Sequence, residues 1–430
     1  MSPDRPLRVG LLGAGTVGRE VARAFADFPD RLAVSGGARL ELVGVAVRDV
    51  ARARVAGIAA DLLTDAPAHL VASGDTDVVV ELMGGDEPAR TLIAAALGAG
   101  KPVVTANKHV IAHHGPELEA IARRTGAALR FEAAVAAGIP VLGPLAAELA
   151  ANRVERVRGI VNGTTNYILT AMAVEGRAYA EVLEAAKAAG YAEADPSGDV
   201  EGDDAVNKLV ILVRLAFGMW VDPADVVRRP PTNDPGGLGR PGITGVSASD
   251  IAGATALGAS IKLVADAART ADGRVAAGVL PTVVPLADPM SRTNGVTNRV
   301  EIRAEPLGSV AFSGPGAGGG ATSSAILGDL LAVARGIGST WAGLPPAGPA
   351  PDGALDGPRE EAADRGWFAI VPSEVAASAF DGVEAAAAPV AGGTAVILRR
   401  IPLGRARSLF RASGLPAGAT ILPADLAQGH

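Results

Sequence analysis

The chain has 430 residues, 49% of them hydrophobic, which is enough to build two or three cored domains rather than one. Its 39 lysines and arginines against 46 aspartates and glutamates leave a formal net charge of -7, and only 3% of residues are aromatic, so nucleic acid is not an expected partner. The chain contains no cysteine, which excludes disulfides, thiolate nucleophiles, Cys-ligated zinc and iron–sulfur clusters.

The opening run MSPDRPLRVGLLGAG passes from charged residues directly into a strand pattern, without the apolar segment of a secretory signal, so the expected location is the cytoplasm. A strand is predicted at Leu7–Leu12, a turn at Gly13–Gly15, a helix from Thr16 to Asp27 and a strand at Arg39–Val47. Further strands are expected at Val78–Met83, Pro102–Thr105 and Ala128–Glu132, with helical stretches at Ala51–Ala60, Pro88–Gly98 and Gly115–Thr125. Strands alternating with helices predict an α/β fold, a Rossmann-like doubly wound parallel sheet over residues 1–132.

From Ala133 the pattern changes to helices at Ala180–Ala189, Asp203–Phe217 and Ala248–Arg269, a Pro/Gly-rich loop at Pro230–Gly242, and strands at Val275–Val284, Val300–Ala304 and Ser309–Phe312. This predicts an α+β second domain over 133–342. The uncharged stretches Ala133–Ala147 and Pro306–Gly328 are, respectively, too short and too rich in Gly and Ser to cross a membrane, and read as buried core and backbone-rich loop. Residues 343–366 have the composition of a linker. A small unit is expected at 367–430, with strands at Trp367–Val371 and Thr394–Ile401 and a helix at Gly404–Gly414.

Gly13-Ala14-Gly15-Thr16-Val17-Gly18 matches GxGxxG between a strand and a helix, where glycines let a pyrophosphate approach the positive end of the helix. After the second strand, Arg48 precedes Asp49. An arginine there accepts a 2′-phosphate, which tilts the reading from NAD to NADP, unless Arg48 is simply a solvated surface residue. Glu193, Asp195, Asp199, Glu201, Asp203 and Asp204 lie close together in the chain and could hold an ammonium group, although alone they read more readily as a solvated acidic loop. Asp204 and Lys208, four apart on a predicted helix, share a face, which by itself assigns no chemistry. Of the histidines, His69, His109, His113, His114 and His430, none is placed as the general base of a 2-hydroxy-acid dehydrogenase.

GIVNGTTNYIL at Gly159–Leu169 and GYAEADPSGDVEGDDAVNK at Gly190–Lys208 resemble homoserine dehydrogenase, and VELMGGDEPA, TANKHV, EAAVAAGIPV and GPGAGGGATSSAILGDL extend the likeness over about three quarters of the chain. The resemblance implies NADP- or NAD-dependent hydride transfer between L-homoserine and L-aspartate 4-semialdehyde. It makes Lys208 the proton donor and Lys108 a second cation at the reacting carbonyl, and assigns Glu193, Asp204 and Asp199 to the substrate. Gly13, Gly15, Thr16, Val17, Gly18, Arg48, Gly84, Lys108, Gly190 and Gly318 fall to the cofactor. It further implies a monovalent cation, sodium, at Glu132, Val135, Ala137 and Ile139, where Ala134 and Ala136 replace an expected hydroxyl and glycine. The resemblance makes 133–342 the catalytic and dimerisation domain. A homodimer or homotetramer is expected, with a C-terminal unit of degenerate ACT-like regulatory type. Aspartate-semialdehyde dehydrogenase, the rival enzyme, needs a cysteine nucleophile that this chain lacks. A bifunctional kinase fusion is not expected, because the glycine motif begins at Gly13. The alternative from another class is a cofactor-binding regulatory protein without turnover, a reading that the presence of Lys108, Glu193, Asp204 and Lys208 disfavours.

Overall fold

The computed structural model describes residues 5–55, 57–270, 273–347, 355–356, 364–372, 374–380, 382–383 and 385–425; His430 and most of the expected linker lie outside them. The chain divides into two compact units. The first comprises Met1–Arg153, Val210–Asp222 and Gly314–Pro349, and the second Val154–Leu209, Pro223–Ser313 and Ala350–His430.

The first unit begins β1 (Leu7–Leu12), α1 (Thr16–Asp27), α2 (Pro29–Gly36), β2 (Leu40–Ala46), α3 (Val50–Val55), β3 (Leu63–Thr64), α4 (Pro67–Ala72) and β4 (Val78–Glu81). It continues through α5 (Ala89–Gly98), β5 (Val103–Thr105), α6 (Lys108–Thr125), β6 (Leu129–Arg130) and α7 (Leu142–Ala146). Six strands form one sheet in the order β3-β2-β1-β4-β5-β6, and its described pairings are parallel. This is the doubly wound arrangement expected from the sequence. Central strands covered on both faces read as nearly continuous apolar runs, and Val9, Leu11, Val78 and Val80 are fully buried. The helix Gly319–Ala334 adds Ile326 and Leu330 to the same core. A strained segment follows β6: Ala136 and Ala137 hold φ of 54° and 47°, the left-handed region that costs a residue with a Cβ about 1–2 kcal/mol.

Buried charge reinforces this unit. Arg214, fully buried, donates to both carboxylate oxygens of Glu119 at 2.9 and 2.7 Å, and Trp220 Nε1 donates to the same group at 2.8 Å. Burial pushes the Glu119 carboxyl up, but the bonds from Arg214, Trp220 and Arg123 outweigh it and hold the group below its usual range.

The second unit contains β7 (Arg153–Ile160), α8 (Gly163–Glu175), α9 (Tyr179–Ala188), α10 (Ser197–Val200), the start of α11 (Asp203–Phe217) and α12 (Ala248–Ala256). Then come β8 (Ala259–Arg269), β9 (Val275–Pro285), β10 (Thr297–Glu305), β11 (Gly308–Pro315), β12 (Leu355–Asp356), β13 (Asp364–Val371), β14 (Ala385–Val390), β15 (Gly393–Pro402) and β16 (Leu422–Ala424). They form a second sheet ordered β11-β10-β7-β8-β9-β16-β13-β15-β14, with β12 beside β9.

One sequence expectation fails here. The helix predicted over Ala248–Arg269 stops at Ala256, and Ala259–Arg269 is a strand antiparallel to β9 along its whole length. Gly258, at φ +68°, ends the helical run, and the apolar stretch after it fits either periodicity until its partner strand decides. The sequence reading also passed over β7 and α8, and began α6 at Gly115 instead of Lys108.

The C-terminal segment supplies β13, β14, β15, the helix Leu403–Ala412 and β16. Trp367, Val371, Val396, Leu398, Phe410 and Ile421 pack together on one side. On the other, Gly253 of α12 sits so close to Ala395, Phe368 and Ile370 that an added Cβ would lie 3.0 to 3.3 Å from them. Asp425, just past β16, receives two bonds from Arg156 and one from Arg158, both on β7, at 2.6 to 3.2 Å.

Candidate active site

In the first unit, the expected cofactor residues gather at the carboxyl ends of β1 and β4, where this architecture places ligands. Gly13 takes φ +99°, and a Cβ there would meet the Leu82 carbonyl oxygen at 2.7 Å. Gly18, one turn into α1, faces the Gly13 carbonyl so closely that a Cβ would lie 2.1 Å from it. Gly15 is different: it caps α1 without a side-chain bond, and an added Cβ would meet nothing within 4 Å. Two glycines therefore permit the turn, while the third, with Thr16 and Val17 behind it, leaves an uncapped helix N-terminus clear. These features fit a bound pyrophosphate. Arg48 is exposed two residues beyond β2. Gly318, at φ +110°, caps the helix Gly319–Ala334, and a Cβ on the next residue, Gly319, would lie 3.1 Å from Thr16.

Sequence reading missed the buried acid of this region. Glu81, at the end of β4, has no exposure, and its carboxylate accepts from Thr105 Oγ at 2.6 Å, Met83 N at 2.7 Å and Gly84 N at 3.2 Å. Burial drives its pKa up, and the bonds from Thr105, Met83, Gly84 and Asn107 oppose that rise. Asn107 continues the network. Its amide donates to the Gly85 carbonyl at 2.9 Å, and its Oδ1 caps α6 by accepting from Val110 N at 3.2 Å. The Gly84–Gly85 turn and Lys108, the first residue of α6, are thereby tied to one buried carboxylate. The visible signal was a glutamate inside an otherwise apolar strand run.

Glu132 is held by three main-chain donors, Val141 N at 2.7 Å, Leu142 N at 2.9 Å and Gly143 N at 2.6 Å. Burial and the neighbouring Asp329 charge raise its pKa. Val135, Ala137 and Ile139 are buried beside it, in the segment strained at Ala136 and Ala137. Among the described residues no cluster of His, Cys, Asp or Glu has the make-up of a metal site, so an ion here would depend on main-chain oxygens.

In the second unit, three of the predicted acid–base and substrate residues meet. Lys208, 8% exposed, donates to Asp204 Oδ2 and to the Val161 carbonyl, both at 2.7 Å. Asn162 donates to Asp199 Oδ1 at 2.7 Å and to Asp204 Oδ2 at 2.8 Å. Chain geometry explains the meeting: β7 delivers Val161 and Asn162 to the start of α8, while α10 and α11 present Asp199, Asp204 and Lys208. Glu193 stands exposed in the loop between α9 and α10 and is not part of this bonded cluster; Gly190, at φ +77°, turns the chain into that loop. His109 and His113 stack at 4.2 Å on α6, and burial and the His113 charge lower the His109 pKa.

The parallel sheet with its clear helix N-terminus, and the shielded lysine among carboxylates, fit a nicotinamide-nucleotide-dependent oxidoreductase. Family models described as homoserine dehydrogenase, NAD binding domain, and homoserine dehydrogenase match residues 13–132 and 140–331. A homoserine dehydrogenase of Mycobacterium bovis is 47% identical over 336 residues, which are 77% of this chain and 73% of that one. The crystal structure of a homoserine dehydrogenase from Thiobacillus denitrificans is similar at a TM-score of 0.85 and 30% identity, over 98% of each chain. A hyperthermophilic archaeal homoserine dehydrogenase in complex with NADPH aligns at a TM-score of 0.62 and 28% identity, over 76% of this chain and 97% of that one. The chain belongs to the homoserine dehydrogenase family.

Proposed function

We propose that the chain catalyses reversible NAD(P)-dependent hydride transfer between L-homoserine and L-aspartate 4-semialdehyde, serving threonine, methionine and isoleucine biosynthesis. The observation that carries this reading is the Lys208 ammonium, shielded from solvent and held between the Asp204 carboxylate and the Val161 carbonyl. A bound nicotinamide supplies or receives the hydride. Lys208 provides the proton as the aldehyde oxygen gains negative charge, and accepts it in the reverse direction. Lys108 is the second cation for that oxygen. Asp204, Asp199 and Glu193 bind the polar groups of the amino-acid substrate.

Gly13, Gly15, Thr16, Val17, Gly18, Gly84, Gly190 and Gly318 are the proposed cofactor contacts, with Lys108 beside them. The position of Arg48, two residues past the end of β2, is the basis for proposing NADP over NAD. Glu132, Val135, Ala137 and Ile139 are proposed to hold sodium, since oxygen-only ligands suit a hard monovalent cation. We further propose a dinucleotide domain at 1–132, a catalytic and dimerisation domain at 133–342, a linker at 343–366, a degenerate ACT-like unit at 367–430, a homodimer or homotetramer, and a cytoplasmic location. Among the described residues no helix is long and apolar enough to cross a membrane.

The deciding experiment follows absorbance at 340 nm with L-homoserine and either NAD or NADP, then with L-aspartate 4-semialdehyde and the reduced cofactors. Turnover in both directions is expected. Folded protein that binds dinucleotide but turns over neither substrate would overturn the reading.

A further inference from the structure

We infer that Asn162 is a positioning residue of the acid–base pair: its amide joins the carboxylates of Asp199 and Asp204 and fixes the direction and charge of the one that meets Lys208. The inference rests on the function proposed for that site.

Asn162 is 6% exposed, at the junction of β7 and α8. As the cap of α8 its Oδ1 accepts from Thr165 N at 2.8 Å and from Thr165 Oγ at 2.9 Å. Those donors fix which end of the amide is oxygen, so the nitrogen must point towards the carboxylates. Its two hydrogens go to Asp199 Oδ1 and Asp204 Oδ2. The same Asp204 oxygen also accepts from Lys208, whose Nζ donates in addition to the carbonyl of Val161, the residue immediately before Asn162. Consecutive residues thus hold both members of the pair, a carbonyl for the lysine and an amide for the aspartate.

Helix capping alone does not account for this choice of side chain. Asparagine, aspartate and serine cap helices about equally well. Only asparagine also brings two N–H donors without adding charge. Serine has one hydroxyl hydrogen, and aspartate would set a third carboxylate against the two already present. Two carboxylates sharing one site drive each other towards protonation, and donors directed at the charged forms oppose this. Asn162 therefore works with the Lys208 ammonium to favour the charged form of Asp204, and the Asp204 oxygen it holds, with the Val161 carbonyl, aims Lys208.

Capping and positioning are separable by experiment. Asn162→Ser and Asn162→Asp both retain an acceptor for Thr165 N, so thermal unfolding should stay close to that of the parent. Asn162→Ser is expected to lower kcat/KM for homoserine at least tenfold, and Asn162→Asp about a hundredfold. In both, the acid limb of the kcat profile for L-aspartate 4-semialdehyde reduction, the direction in which Asp204 must be ionised and Lys208 charged, should move up by about one pH unit. Carbon-13 NMR titration of labelled aspartates, with Asp204 assigned by Asp204→Asn, should show the Asp204 carboxyl titrating at higher pH. Folded variants in which neither the acid limb nor that titration moves would overturn the inference, whatever happens to the rate. If neither variant folds, Asp199→Asn gives the test from the other side: removing the second carboxylate should shift the Asp204 titration down, and no movement would overturn the inference. Should the parent protein fail to oxidise homoserine, the functional reading falls, while the titration still decides the role of Asn162.

Discussion

Lys208 donates to the carboxylate of Asp204, one helical turn back, over 2.7 Å, and each side chain retains only 10% of its exposure. A solvated pair at this spacing contributes about 0.3–0.5 kcal/mol and has no further consequence. Here solvent is excluded and a second acceptor holds the ammonium. Lys208→Ala is expected to lower kcat by about 10²–10⁴-fold, the usual range for losing a general acid or base. Dinucleotide affinity, measured by cofactor fluorescence, should stay the same. Near-normal kcat in the folded variant would remove Lys208 from the mechanism.

Arg48 is exposed just past the end of β2, free of the crowding that would complicate its replacement. Arg48→Ala should raise KM for NADP and leave KM for NAD nearly unchanged. Equal effects on both cofactors would exclude contact with the 2′-phosphate.

Glu119 offers a test of stability away from the chemistry. Removing one partner of a buried ion pair leaves the other charge uncompensated, so Glu119→Ala should destabilise the first unit by about 3–5 kcal/mol in urea unfolding. Because the folded-state pKa of Glu119 lies below its unfolded value, its contribution is present above the unfolded pKa and is lost as pH falls through the folded one. The gap between parent and variant should therefore narrow on acidification.

Lys262 gives the opposite pH dependence. Buried on β8, it donates to Asn166 Oδ1 at 3.1 Å, the Thr293 carbonyl at 2.8 Å and Asn294 Oδ1 at 2.9 Å, and burial lowers its pKa to about 8. The unfolded chain, with an ordinary lysine pKa of about 10.4, binds the proton more tightly, so stability rises as pH increases from about 8 to about 10.4. The gain should reach at most about 3 kcal/mol. Lys262→Met cannot titrate, and urea unfolding at the two ends of this window should show the rise in the parent alone.

Ala136→Gly should relieve a left-handed residue at φ 54° and stabilise the first unit by about 0.5–1 kcal/mol net of the entropy glycine adds to the unfolded chain. If the segment holds sodium, exchanging sodium for choline should lower the thermal midpoint of the parent. A midpoint indifferent to sodium would exclude the cation.

Reading the chain alone reached the parallel sheet of the first unit well, because strand, glycine turn and helix are local patterns and the GxGxxG motif dictates its own surroundings. It also placed Asp199, Asp204 and Lys208 together through the family signature. It failed where the deciding information is tertiary. The strand Ala259–Arg269 is an apolar run that only pairing with β9 distinguishes from helix. Glu81 looked like one acid in a hydrophobic strand, and its role emerged only when Thr105 and the Gly84 turn were seen around it. Asn162 heads a helix that the sequence reading passed over, and its bonds to two carboxylates some 40 residues away leave no local sign in the chain.

The placement of β16 bears on how far the tail is a detachable cassette. Its Ala424 lies beside Val283 of β9, and Asp425 grips two arginines of β7, so the last described residues are part of the sheet that carries Asn162 at the end of one of its strands. Cutting the chain before β13 would do more than delete an accessory: it would uncover the β9 edge as an adhesive backbone and leave Arg156 and Arg158 short of a counter-charge. A shortened protein is therefore expected to aggregate on expression, and grafting this tail onto another enzyme would require grafting its host sheet as well.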